Sequence, residues 1–151
     1  MTSKTLTKTE ETLRSVIEIL IDGQKGFETI GEHLADPTLK KYFLAESLRR
    51  AQFRGDLEEV LHQEGLHDIK ESGTVSGSLH RSWGELKTKL GGGDHSLLDT
   101  AEQGEDSAKK EYAKALEVEE LPLPVRQMLS TQAAHIQSSH DYVKAARDRT
   151  K

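Results

Sequence analysis

The sequence predicts an all-α fold: an up-down bundle of four long helices, with a long crossover carrying a short extra helix between the second and third. Three observations carry that expectation. Apolar residues recur at three- and four-residue spacing along four stretches, hard breaks separate those stretches, and nothing alternates with the period of two that marks a half-buried strand.

Residues 1–8 are polar and rich in Lys and Thr, which predicts a flexible arm ahead of a single domain over 9–151. Thr9, followed by Glu10 and Glu11, reads as the cap of helix one, whose stripe is Leu13, Val16, Ile17, Leu20, Phe27, Ile30 and Leu34. Gly23, Gly26 and Gly31 interrupt it. Each costs near ~1 kcal/mol against Ala in a helix, so the close approach of a neighbour is expected there. Asp36-Pro37 ends this helix and starts the next, a link short enough to make the pair antiparallel. Helix two is expected over 37–64. Residues 66–77 carry Gly, Ser and Thr without a period and read as a connection, and a short helix with Leu79, Trp83, Leu86 and Leu90 on one face runs to Gly91. Asp94 or Ser96 is expected to cap helix three, with Leu97, Leu98, Ala101, Ala108, Tyr112 and Ala115 inward to about residue 119. Leu121-Pro122-Leu123-Pro124 breaks the chain, and helix four follows to 149 with Val125, Met128, Leu129, Ile136, Val143 and Ala146 inward.

Composition narrows the function classes. The chain has 151 residues, 34% hydrophobic and 31% charged, which suits one domain with a real core. A net charge of -5 gives no overall attraction to nucleic acid or an anionic membrane, and neither is expected as a partner. The absence of cysteine excludes thiolate metal sites, disulfides and cysteine nucleophiles. No signal core and no run near the ~18 apolar residues of a membrane span is present, so the expected location is the cytoplasm.

Helical phase on the second stretch carries the main functional clue. At about 100° per residue, Phe43, Glu46, Arg50, Phe53, Leu57 and Leu61 share one stripe, so an acid and a guanidinium point inward with the core residues. Buried charges cost several kcal/mol unless partnered, so the other helices are expected to supply a polar layer. Gln24 on helix one, Glu105 on helix three and Gln132 on helix four fall at the matching height. Two helix pairs joined by a long crossing is the ferritin-like way to close a bundle. Such bundles can hold a di-iron or di-manganese centre with one Glu from each of two helices and Glu-x-x-His from each of the others. Here Glu46, Glu105 and His135 are the surviving metal-ligand candidates, with Glu28 as a possible fourth, while Glu-x-x-His on helix four has become Gln132-x-x-His135. Arg50 has no lone pair to offer a metal and stands where it would repel one. The expected core is therefore a metal-free ion cluster, with no cofactor. An iron or manganese site, mononuclear or dinuclear, is the alternative.

Other motifs carry less. Glu59-x-x-His62 matches the metal pattern in letters but falls on the face opposite Phe53 and Leu57. His62, His67, His80 and His95 have no compact ligand spacing for zinc. His80, Arg81 and Trp83 offer a candidate partner surface, with packing of the short helix on the bundle as the plainer use. His140-Asp141 reads as a helix-end or interhelical contact, since adjacent helical residues do not face each other.

Gly26-Phe27 and Glu32, Phe43, Arg50-Ala51-Gln52-Phe53, Gly77-Ser78-Leu79-His80-Arg81-Ser82-Trp83, Glu102-Gln103-Gly104-Glu105-Asp106, Gln132 and His140-Asp141 together resemble a bacterial family of ferritin-like four-helix-bundle proteins catalogued as a domain of unknown function. The resemblance spans about 9–149, and the HRSW and EQGED segments are its most specific parts. It implies the ferritin-like bundle and brings no established substrate, cofactor or catalytic residue. The sequence departs from the family pattern at Arg49, where an acid is usual.

Three functions compete on this reading. The favoured one is a non-enzymatic, stress-associated bundle that acts by self-association or by binding a protein partner. The second is an iron- or manganese-dependent oxidoreductase or iron-binding protein on Glu46, Glu105 and His135. The third is a bundle that binds a small polar ligand through Glu46, Arg50, Glu105 and Gln132.

Overall fold

The computed structural model describes residues 3–63, 83 and 90–150, with side chains from residue 8. Its helices are α1 (Ser3–His33), α2 (Pro37–Gln63), α3 (Gly93–Leu116) and α4 (Leu123–Arg149), and no strand occurs among the described residues. The short crossover helix expected before Gly91 lies, apart from Trp83 and Leu90, outside the described residues.

Periodicity placed the elements because each stripe has somewhere to go. Every apolar residue assigned inward on α1, α2 and α3 is buried, and on α4 only Met128 is half-buried. One boundary differs clearly. α1 begins at Ser3, so most of the stretch expected as a flexible arm is helical, and Thr9 is buried within the helix instead of capping it. Residues 3–8 contain neither Gly nor Pro, so nothing local stops the helix from extending.

The junction between α1 and α2 follows from Asp36. Its Oδ1 accepts the amides of Thr38 and Leu39 at 2.8 and 3.1 Å, with Pro37 in the first helical position where a missing N–H is harmless. Asp94, expected as a cap for α3, serves a different helix. α3 starts at Gly93, whose φ of +85° suits only glycine, after Gly92 with no side-chain cap. The Asp94 carboxylate instead accepts the amides of Ala35 and Asp36 at 2.8 and 3.0 Å, pinning the α1–α2 turn to the start of α3.

That clamp fixes the topology. The end of α1 and the starts of α2 and α3 share one end of the bundle, and His95 meets the Arg147 carbonyl there at 3.1 Å, bringing the end of α4 to the same place. α2 and α3 therefore run parallel, so the end of α2 and the start of α3 lie at opposite ends of the bundle. α1 packs against α2 and α3, and α4 packs against the same two helices from the other side.

Two apolar clusters make up the core. One gathers Leu13 to Ile21 of α1, Phe53 to Leu61 of α2, Ala108 to Ala115 of α3 and Val125 to Ile136 of α4. The other gathers Phe27 to Leu34, Leu39 and Phe43, Leu97 to Ala101, and Val143 with Ala146, closed by Trp83. Between them, at mid-height, lie the buried polar residues Glu46, Ser47, Arg50, Glu105, Gln132 and Ser139. No described helix is long and apolar enough to cross a membrane.

Candidate functional site: the mid-height polar layer

α2 brings Glu46, Ser47 and Arg50 to one level, because residues three and four apart share a helical face. Arg50, 1% exposed, is the hub. Its Nη2 donates to Glu105 Oε2 at 3.0 Å and its Nη1 lies 2.8 Å from Oε1 as an ion pair without hydrogen-bond geometry, a fork that sets both oxygens of a wholly buried carboxylate against the guanidinium. Nη2 also reaches Ser139 Oγ on α4 at 3.3 Å, and Nε sits 3.5 Å from Glu46 Oε1. The guanidinium rests 4.8 Å from the centre of the Phe27 ring, within range for a cation–π contact. Burial works to lower the Arg50 pKa, but the charge and hydrogen bond of Glu105, together with Glu46, outweigh it and hold the group above its ordinary value.

The remaining positions complete the layer. His135 Nε2 lies 2.5 and 3.1 Å from the two Glu46 oxygens, and its ring stands edge-on to Phe53. Gln132 accepts the Tyr112 hydroxyl at 2.7 Å through Oε1 and donates to the Phe53 carbonyl at 3.1 Å through Nε2. Burial raises the Tyr112 phenol far above its ordinary value, so it remains a donor. Burial likewise raises Tyr42, which hydrogen-bonds Ser139 and stacks on Tyr142 at 3.8 Å. On α1 the half-buried Gln24 contributes its backbone carbonyl, accepting from Ser47 Oγ at 2.8 Å. Gly23 leaves space for Arg50, since a Cβ there would lie 3.3 Å from Nη1.

Of the residues singled out from the sequence, Glu46, Arg50, Glu105 and Gln132 thus lie together in the layer, with His135 at its edge and 30% exposed. Glu28 is exposed and points elsewhere, because the inward positions of α1 at this height belong to Gly23 and Phe27. Among the described residues Glu46, Glu105 and His135 do not form a group of three whose ligand atoms all lie within 4.8 Å of one another, although His135 meets Glu46. Trp83 takes the plainer of its two expected uses, packing on the bundle: it is 1% exposed, wedged between α1 and α3, where a Cβ at Gly26 would lie 2.5 Å from its ring and one at Gly104 would collide with it as well. His80 and Arg81, the other members of that expected partner surface, lie outside the described residues.

A second cluster went unread in the sequence. His140 on α4 turns its Nε2 to Asp106 Oδ1 at 2.9 Å and Glu102 Oε1 at 3.7 Å on α3, while its Nδ1 meets Asp141 Oδ1 at 3.1 Å. That hydrogen bond is the main cause holding the Asp141 carboxyl below its ordinary range. Arg147 pairs with Glu102 Oε2 and lies 3.6 Å from Asp99. The available signal was spacing: Glu102-x-x-x-Asp106 puts two carboxylates on one face of α3.

The segment Glu102-Gln103-Gly104-Glu105-Asp106 now has a physical meaning. Glu102 and Asp106 face His140, Gly104 admits Trp83, Glu105 takes the Arg50 fork, and Gln103 is exposed. One turn of helix serves three tertiary contacts. No curated protein matches the chain. Residues 8–118, which carry α1, α2, Trp83, α3 and this segment but not α4, match a family pattern, and the chain belongs to that family, described as a domain of unknown function (DUF2383).

Proposed function

We propose that the chain is a non-enzymatic, ferritin-like helical bundle whose polar layer is a structural ion cluster without metal, and that it acts by association, with itself or with a protein partner. The observation that carries this reading is the fork of Arg50 on Glu105, at 2.8 and 3.0 Å. A di-iron or di-manganese centre needs carboxylates from several helices free to bridge two dications. Here both Glu105 oxygens face a permanent cation, and both Glu46 oxygens face His135 with Arg50 Nε beside them. The residues present do not fit that centre, because a guanidinium at its middle repels a dication across a poorly screened interior. The parallel course of α2 and α3 supports the ferritin-like affiliation. Association is supported by Leu44 and Leu48, one turn apart on the outer face of α2 and 36% and 72% exposed.

Elemental analysis of the full chain produced with added iron or manganese tests the first half. Less than about one tenth of an equivalent bound through the polar layer is expected. Loading near two equivalents that Glu46→Gln and Glu105→Gln abolish would overturn it. Light scattering tests self-association: a monomer at every concentration, unchanged by Leu48→Lys, would leave the association with a different partner.

A further inference from the structure

We propose that Glu102 and Asp106 of α3 and His140 of α4 form a site for one divalent transition-metal ion of the zinc, manganese or ferrous class, on the α3–α4 wall and apart from the polar layer. Glu102 Oε1, Asp106 Oδ1 and His140 Nε2 all lie within 4.8 Å of one another. Ligand atoms about 2.1 Å from a tetrahedral zinc ion lie ~3.4 Å apart, and the observed separations from Nε2, 2.9 and 3.7 Å, bracket that value. One nitrogen and two carboxylate oxygens is a donor set that such ions accept, leaving a coordination position for water or a ligand.

The imidazole is held as a metal ligand is held. Its Nδ1 meets Asp141 Oδ1 at 3.1 Å, and Asp141 in turn accepts from Gln137 Nε2 at 2.9 Å. A carboxylate on Nδ1 fixes the ring and the tautomer, so that in the neutral form the Nε2 lone pair points at the two α3 carboxylates. The His140 side chain is 8% exposed, and Nε2 makes no hydrogen bond of good geometry despite those two neighbours. A lone pair facing carboxylates is repulsive until a cation stands between them.

The charge balance differs from that around Arg50. Arg147 pairs with Glu102 through Oε2 and shares itself with Asp99 and Asp148, which leaves Oε1 turned to His140. Lys109 also acts on Asp141. The carboxylates around His140 and Arg147 are those of Glu102, Asp106, Asp141, Asp99 and Asp148. Asp106 is 46% exposed, giving an ion a way in from solvent.

The competing occupant is a proton on Nε2, which would make His140 an imidazolium, and the experiment separates the two. Chelator-treated full-length protein is titrated with zinc chloride, and separately with manganese chloride, by calorimetry near pH 7. One ion per chain is expected, with a rise in melting temperature. His140→Gln and Asp106→Asn should each weaken binding at least tenfold. Asp106 is half exposed, so Asp106→Asn keeps the fold and remains decisive if His140→Gln does not fold. Binding of neither ion would overturn the proposal. So would equal binding by wild type and Asp106→Asn, or uptake that His135→Gln abolishes and Asp106→Asn spares. That last result would place the ion in the polar layer and overturn the metal-free reading of the core instead.

Discussion

At Arg50 a single side chain touches groups on all four helices, Phe27, Glu46, Glu105 and Ser139, so its removal should be felt well beyond its own contacts. Arg50→Met keeps the bulk but strands Glu105, wholly buried, and Glu46. Breaking one side of a buried pair costs about 3–5 kcal/mol. Thermal melting should show a midpoint lower by roughly 10 °C for a domain of this size. An unchanged midpoint would mean that the fork contributes nothing. Tyr112 gives a pH test. Its folded pKa is raised from an ordinary 10.0, so its contribution is fully present below that value and is lost as pH rises past it. Between pH 10 and 11 the wild type should lose about 1 kcal/mol more than Tyr112→Phe, read from urea melts of both proteins. Parallel slopes would show that the phenol ionises without unfolding anything. Much of this layer was legible in the sequence, because helical phase alone turns Glu46 and Arg50 inward. The pairing was not: that Gln132 would bridge Tyr112 to the Phe53 carbonyl depends on how three helices meet, which no single stripe contains.

At the scale of elements, glycines within helices separate packing from propensity. Gly26 on α1 and Gly104 on α3 face the two sides of the Trp83 ring, and a Cβ at either would overlap it. Gly55 on α2 has nothing within 4 Å of where its Cβ would be. Alanine gains about 1 kcal/mol over glycine in a helix on propensity. Gly55→Ala should therefore stabilise by about that amount. Gly26→Ala and Gly104→Ala should instead destabilise by about 1–3 kcal/mol through overpacking and shift the fluorescence of the only Trp in the chain. Equal stabilisation by all three would show that the wedge is not seated as described. The need for a close approach at Gly26 was legible in α1, but its partner was not, since Trp83 reaches it from the connection between α2 and α3. The Asp94 clamp was hidden for a similar reason. An acid at a helix start reads as a local cap, and only the tertiary fold shows it holding the amides of Ala35 and Asp36. His140 was masked by its neighbour: the sequence offered His140-Asp141 as a pair, while two of the ring's carboxylate partners are on α3.

For the molecule as a whole, periodicity and breaks sufficed to give four helices in the right order, because amphipathic stripes of this length have few other ways to be buried. The parallel course of α2 and α3 puts the end of one and the start of the other at opposite ends of the bundle, and Trp83, from the connection between them, is buried between α1 and α3. The division of the core into two oily compartments by one charged tier has a mechanical corollary. Leucine, valine and isoleucine surfaces discriminate weakly between neighbouring alignments, so either compartment alone would let a helix slide by one turn, about 5.4 Å, at modest expense. The tier forbids it: a shift of α3 by that distance would carry Glu105 away from the guanidinium and set both against hydrocarbon. It works as a detent that fixes the axial alignment of α2, α3 and α4. A chain with Arg50, Glu46 and Glu105 all replaced by methionine or leucine is accordingly expected to keep its helicity while its amide NMR spectrum broadens or doubles. One sharp set of resonances would show that the oily compartments alone fix the alignment.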